Sequence, residues 1–139
     1  MKRLVALSTI IMGICLATPV HALEFWHSGT VWANQGMCSA IFRFDAGEEA
    51  IRNLKISVSA IDKAGKKVAS DVLEIEQLGQ SSADRYAETY LTSEEMCNDD
   101  LTIVVNKATA IIDEKTVDLL KTKSLSAQDF KPFKIKIGK

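Results

Sequence analysis

The strongest constraint on the fold of this chain is a nearly ideal alternation of apolar and polar residues at positions 54–61. Its inward-facing members are expected to be Leu54, Ile56, Val58 and Ala60. Successive side chains of a β-strand point to opposite faces, so this period of two predicts a strand with one face in a core. A polar turn at 62–66 follows, whose Gly65 can adopt the positive φ that such turns require, and a return strand at 68–78 completes a predicted hairpin.

Similar short runs recur along the chain and predict further strands at 23–32, 37–44, 86–91, 101–105 and 132–137. Ser28 and Gly29 predict a bend or bulge in the first of these, and Pro132 is expected to open the last. A loop is expected at 93–100. A separate short apolar stretch at 108–112 is followed by an expected turn at 113–115, and 117–120 suits either a strand or a brief helical turn.

About seven or eight strands of this kind predict an all-β fold, an antiparallel two-sheet sandwich of the fibronectin type III or immunoglobulin kind. A small barrel is the alternative.

The first residues indicate export. Lys2 and Arg3 precede an apolar run at 4–17, which is shorter than the roughly 20 residues needed to span a membrane. Small residues end the segment, and cleavage is predicted after Ala22. An uncleaved anchor is disfavoured because the run stops early and contains polar residues. The expected product is a single domain at 23–139, exported to or through the periplasm and held by no membrane after cleavage.

The charge of the expected mature chain excludes some partners. Removing Lys2 and Arg3 from the 17 basic residues, against 18 acidic ones, leaves a net charge of −3. Nucleic acids and anionic membranes both favour a clustered positive surface, so neither is an expected partner.

Of the three cysteines, Cys15 lies in the predicted signal peptide, which leaves Cys38 and Cys97 as an even pair in an exported protein. This predicts one disulfide, worth roughly 4 kcal/mol in the chain-entropy model. A metal pair or a redox site is disfavoured because both prefer close C-x-x-C spacing.

The chain offers little for catalysis. His27 is the only histidine after the predicted cleavage site, and a surface or half-buried strand position is expected for it. No phosphate-binding loop or H-E-x-x-H motif occurs, so no enzyme activity, catalytic residue or cofactor is predicted. Four acidic residues lie close together around Cys97: Glu94, Glu95, Asp99 and Asp100. Their oxygen atoms could bind a hard cation, but a solvated acidic loop is favoured and no metal is predicted.

Two further sets of side chains have alternative interpretations. Aromatic residues can anchor protein interfaces or fill a core, and the core is favoured for Trp26, Trp32, Tyr86 and Tyr90. Lys134 and Lys136 suggest either a basic stripe or protection of a sheet edge, and the second is favoured. A polar connection at 121–129 would let the last strand leave its own sandwich and complete that of a second copy.

Three segments carry a family resemblance: LEFWHSGTVW at 23–32, QGMCSA at 35–40, and 108–137, which ends in DFKPFKIKI. They resemble the interleukin receptor mimic protein A family of Escherichia-type bacteria. The resemblance implies a secreted, fibronectin type III-like protein that forms a strand-exchanged homodimer and engages host cytokines. Cys38 and Cys97 match the family's disulfide positions, and the resemblance assigns no partner-binding residue.

The sequence therefore favours a secreted, non-enzymatic cytokine-receptor mimic that engages host interleukins in virulence. The alternative is a periplasmic accessory or adhesin-like subunit completed by strand donation. A small periplasmic hydrolase, with His27 as its base, is least favoured.

Overall fold

The computed structural model describes residues 23–128 and 133–138, and this part of the chain forms nine β-strands and two short 3₁₀ turns. The strands are β1 (Leu23–Trp32), β2 (Cys38–Asp45), β3 (Ile51–Ile61), β4 (Lys67–Leu78), β5 (Tyr86–Ser93), β6 (Thr102–Ile112), β7 (Lys115–Asp118), β8 (Leu125–Gln128) and β9 (Lys134–Ile137). In the described ranges no helix is long and apolar enough to cross a membrane. The predicted signal peptide at 1–22 and Pro132 lie outside the described residues.

The strands form two sheets. One has the order β5-β2-β1-β8, and the other has the order β4-β3-β6-β7, with β9 also paired to β6. The pairs are antiparallel except β1 with β8 and β6 with β9, which are parallel. The predicted all-β two-sheet sandwich is thus confirmed over the described residues.

The core lies between the sheets and is built from alternate residues of each strand. Phe25 of β1 and Phe44 of β2 stack with ring centroids 5.4 Å apart, and both side chains are fully buried. Ile56 and Val58 of β3, in the other sheet, are buried in the same core, as the period of two predicts. Burying side chains of this size contributes about 1.5–3 kcal/mol each.

Local backbone features follow the sequence. The pairing of β1 with β2 shifts register between His27 and Gly29, which confirms the predicted bulge. Gly65, in the β3–β4 turn, has a φ of +83°, which confirms the positive φ predicted for this turn. Strand β1 has the predicted bounds, whereas β3 begins three residues earlier than predicted, at Ile51.

The separate segment expected at 108–112 is instead the second half of β6. The register between β3 and β6 shifts at Asn106, so the buried positions change parity from Ile103 and Val105 to Ala108 and Ala110. Asn106 donates a hydrogen bond from its side-chain amide to Ser59 Oγ over 2.8 Å. Because the bulge interrupts the period of two, the sequence pattern predicts two separate segments where the structure has one strand.

The region 117–128 also differs from the prediction. Strand β7 ends at Asp118, and a turn follows it. The expected polar connection contains β8, whose Leu125 and Ala127 pair in parallel with Leu23 and Phe25 of β1. Leu125 is buried, so this short strand covers an edge of the core. Two apolar residues are too brief a pattern to predict a strand.

A disulfide joins Cys38, at the start of β2, to Cys97, as the even cysteine pair led us to expect. The two Cα atoms are 5.1 Å apart. Cys97 ends the 3₁₀ turn Glu95–Cys97, whose Met96 side chain is fully buried in the core. The bond therefore fastens the β5–β6 connection to the four-stranded sheet.

Replacing both cysteines with alanine should lower the free energy of unfolding by roughly 4 kcal/mol, because the unfolded chain regains the entropy of a 59-residue loop. Urea unfolding of the double variant and of the oxidised parent measures this difference. Adding reductant should lower the free energy of unfolding of the parent to that of the double variant. A urea midpoint that is unchanged in both the double variant and the reduced parent would contradict the prediction.

Gly79→Ala should destabilise the fold by about 2 kcal/mol or more. Gly79 has a φ of +75°, and an added Cβ would collide with the backbone carbonyl oxygen of Glu49. Gly29→Ala is the matched control, because nothing lies within 4 Å of its added Cβ and its φ is not positive. Thermal or urea unfolding should separate the two variants; equal stability would show that the backbone yields at position 79.

Candidate functional site

The outer face of the four-stranded sheet carries the side chains best suited to contact another molecule. Trp26 of β1 lies opposite Arg43 of β2, which lies opposite Glu88 of β5. Two tyrosines of β5 extend the same surface on either side of Glu88. We call this set the aromatic face; its members are Trp26, Arg43, Tyr86, Glu88 and Tyr90.

The exposure of these residues corrects the prediction that they fill the core. Tyr86 is 61% exposed, Tyr90 is 54% exposed and Trp26 is half-buried. Trp32, at the end of β1, is 71% exposed. The inward positions of β5 alternate with the tyrosines, and of these residues Leu91 is buried. The sequence contained the relevant signal, because both tyrosines share the parity of the charged Glu88.

Glu88 fixes two members of the aromatic face at once. Its Oε1 accepts a hydrogen bond from Arg43 Nε over 2.6 Å, and its Oε2 accepts one from the Tyr90 hydroxyl over 3.2 Å. Side chains held in one conformation lose less entropy when a partner binds. The contacts around Glu88 therefore limit the conformations that Arg43 and Tyr90 adopt.

A second ion pair stands at the edge of the aromatic face. Arg85 donates two hydrogen bonds to the Asp45 carboxylate, over 2.7 and 3.1 Å, and its guanidinium carbon lies 5.2 Å from the centre of the Tyr86 ring. The bond from Arg85 holds the pKa of the Asp45 carboxyl below its usual range, although partial burial opposes this, and the N–H of Gly47 adds to the lowering. The same bond raises the pKa of Arg85. Both charges are thus maintained at neutral pH.

An open depression of about 490 Å³ lies within the aromatic face and is lined by Trp26, Arg43, Tyr86, Ala87 and Glu88. Its walls combine ring faces and an aliphatic side chain with one cation and one anion. Such a depression suits a side chain projecting from a protein partner.

The other candidate residues do not assemble into a chemical site. His27 is fully buried, which corrects the expected surface or half-buried position, and an imidazole without solvent access is not placed to act on a substrate. Asp100 of the acidic loop pairs with Lys63 over 3.0 Å. Among the described residues no three His, Cys, Asp or Glu side chains are arranged to hold a metal ion. Lys134 and Lys136 are exposed on β9.

Comparison with known proteins identifies the family. A family model described as interleukin receptor mimic protein A, IrmA, matches residues 23–128. The chain belongs to the IrmA family. A solved structure of IrmA from Escherichia coli matches with a TM-score of 0.64 and 27% sequence identity, over 79% of this chain and 93% of that one. A search of curated proteins found no match.

The region matched by the IrmA family model contains both disulfide cysteines and every residue of the aromatic face. It runs from the first residue of β1 to the last of β8, and β9 (Lys134–Ile137) lies beyond it. The aromatic face is therefore built on the part of the chain that defines the family.

Arg85→Gln should raise the pKa of the Asp45 carboxyl toward its ordinary value, because the substitution removes the guanidinium that holds it down. A carboxyl with a lowered pKa in the folded state stabilises that state above its unfolded pKa, and this contribution is lost as the pH falls through the folded pKa. The variant should therefore be less stable than the parent at pH 7, and the difference should vanish in acid.

Carbon-13 NMR of the Asp45 carboxyl and urea unfolding at a series of pH values measure both effects. Arg43→Gln is the matched control, because Arg43 pairs with Glu88 and should leave the titration of Asp45 unchanged. An Asp45 titration unaltered by Arg85→Gln would contradict the assignment.

Proposed function

We propose that this protein is a secreted, non-enzymatic binding protein that mimics a host receptor and engages a host interleukin, and so modulates immunity during infection. The observation that carries the proposal is the family match over residues 23–128, because the family is described as an interleukin receptor mimic. The sandwich fold and the exposed aromatic face support a binding role.

Export is part of the proposal. The mature protein begins at Leu23 as a single domain, passes through the periplasm and is released. The basic start, the short apolar run and the small residues before position 23 support cleavage there. The Cys38–Cys97 disulfide fits this route, since disulfides persist in oxidising compartments.

The aromatic face is the proposed contact surface for the interleukin. Tryptophan, tyrosine and arginine are the residue types that most often dominate the binding energy of protein interfaces. Tyr86 and Tyr90 are exposed on a strand, and Arg43 is fixed beside them by Glu88. The surface therefore combines large contact area with little flexibility.

A strand-exchanged homodimer is the proposed assembly. Strand β9 is attached to β6 through four parallel residue pairs, Thr102 with Lys134 through Val105 with Ile137. A short terminal strand of this kind can leave one copy and pair in the same way with another. Light scattering on the mature protein should give twice the chain mass; a stable monomer would favour the periplasmic accessory subunit instead.

Interleukin binding is tested with purified mature protein and a panel of interleukins by surface plasmon resonance. At least one interleukin should bind saturably, and Tyr86→Ala and Tyr90→Ala should each raise its Kd about tenfold or more. Val72→Ala is the matched control, because Val72 is 42% exposed on β4 in the other sheet. The Kd of the interleukin for this variant should equal that for the parent.

Circular dichroism should show that all three variants keep the fold. Absence of saturable binding across the panel would refute the proposed partner. Binding that survives both tyrosine substitutions would place the contact surface elsewhere on the protein.

A further inference from the structure

Strand β5 forms one edge of the four-stranded sheet. Its 8 residues, Tyr86–Ser93, pair with β2 along their whole length and without a register shift. On its other side β5 pairs with no strand among the described residues, and β4 of the opposite sheet pairs only with β3. A regular strand edge that is left open is a template for pairing with another strand.

The backbone groups that point away from β2 follow from one hydrogen bond. Ala46 donates its backbone N–H to the Arg85 carbonyl over 3.0 Å, so the pair that follows the β2–β5 ladder is a hydrogen-bonded one. Hydrogen-bonded and non-hydrogen-bonded pairs alternate along an antiparallel ladder. The N–H and C=O groups of every second residue of β5 therefore point outward from the sheet edge, and these residues are Tyr86, Glu88, Tyr90 and Thr92.

The other edges of the two sheets are protected in ways that β5 is not. Strands β7, β8 and β9 have 4 residues each. Strand β4 is longer, but its exposed Asp71 lies on the same side of the strand as the buried Leu73. Short strands and inward-facing charges both hinder pairing with another chain. Strand β5 has no proline, no lysine and no inward-facing charge.

We propose that the edge of β5 binds the same edge of a second copy, antiparallel, with Thr89 of both copies on a two-fold axis. In this register Tyr86 lies opposite Thr92 of the second copy, and Glu88 lies opposite Tyr90 of the second copy. All outward-pointing residues of both strands then fall in hydrogen-bonded pairs, each with two backbone bonds. The two four-stranded sheets become one continuous sheet.

Charge and strand length select this register. An axis at Glu88 would place two carboxylates directly opposite each other, which destabilises a strand pair. An axis at Tyr90 would place Tyr86 opposite Glu94, which lies beyond the end of β5. With the axis at Thr89, Glu88 lies opposite a tyrosine, and a tyrosine hydroxyl is the group from which Glu88 already accepts a hydrogen bond within one copy.

The inward side chains of β5 also fit a second copy in this register. The half-buried Ala87 lies opposite the buried Leu91 of the second copy, so a small residue meets a large one. Thr89 lies opposite itself, and threonine pairs are favourable across antiparallel strands. One register thus satisfies the backbone, the charges and the side-chain volumes at once, which identifies the partner of this edge as the chain itself.

The pairing would place two aromatic faces side by side. Opposed residues of neighbouring strands point to the same side of a sheet, so Tyr86 and Tyr90 of both copies lie on one surface. A ligand bound by one copy would meet the second face at high effective concentration. This step alone rests on the proposed interleukin contact. The exchange of β9 uses the other sheet, so the two associations are independent.

Amide hydrogen exchange on the whole mature protein, without an interleukin, tests the pairing. In dilute solution the N–H groups of Ala87 and Leu91, which face β2, should be protected, whereas those of Glu88 and Tyr90 should exchange freely. Raising the protein from micromolar to millimolar concentration should increase the protection of Glu88 and Tyr90 by about tenfold or more. Light scattering should show the mass doubling over the same range.

Thr92→Pro is the decisive variant, because its ring replaces an outward N–H and occupies the space of the second strand, while no backbone bond to β2 is lost. Thr92→Val is the matched control. Both variants lose the contact of 2.6 Å between the Thr92 hydroxyl and Ser39 Oγ, but valine keeps the N–H. The rise in protection of Glu88 and Tyr90 should disappear in Thr92→Pro and persist in Thr92→Val.

If Thr92→Pro fails to fold, Thr89→Lys replaces it, with Thr89→Val as its control. Lysines at this position would place two like charges together on the axis, so the rise in protection should again be lost.

The proposal is wrong if the exchange of Glu88 and Tyr90 is independent of concentration, or if its concentration dependence survives the folded decisive variant. Protection that appears only after an interleukin is added would assign the edge to that partner instead. The other measurements contain no interleukin, so failure of the proposed function leaves them unaffected.

Discussion

The packing of aromatic side chains between the two sheets determines most of what the rest of the molecule presents to solvent. Phe42 and Phe44 of β2 point inward, so Arg43 between them must point outward. The same alternation directs Trp26 and Tyr86 to the outer face while Phe25 stacks in the core. A register slip of one residue would exchange the two faces. The same alternation of side chains therefore builds both the core and the aromatic face.

The strands with clean alternation were predictable, and so was the sandwich. Two strands were not predicted correctly. Strand β6 contains a bulge at Asn106 that changes which residues face the core, and β8 is too short to show a period of two. Size and apolarity alone favour the core for both tyrosines of β5, whereas parity with Glu88 places them outside. His27 shows the reverse error: it shares the parity of buried neighbours, but its polarity favoured the surface.

A surface built on strands, as the aromatic face is, differs physically from one built on loops. Loops tolerate insertions and vary in length, whereas the spacing of Trp26, Arg43 and Glu88 is set by the ladder that pairs their strands. Recognition by such a surface depends on which side chains occupy fixed positions. At 27% identity to the Escherichia coli IrmA structure, the fold is retained while many side chains differ, so related proteins can share this scaffold and differ in the partners they select.

The covalent loop closed by Cys38 and Cys97 encloses β2, β3, β4 and β5, and it leaves both ends of the sandwich outside. Strand β1 precedes this closed loop, and strands β6, β7, β8 and β9 follow it. In the proposed exchanged dimer, two oxidised copies would therefore interchange terminal strands without threading a chain through a ring, so the exchange would create no mechanical link between them. Such a dimer would come apart again with every disulfide intact, because only non-covalent contacts would hold the exchanged strands.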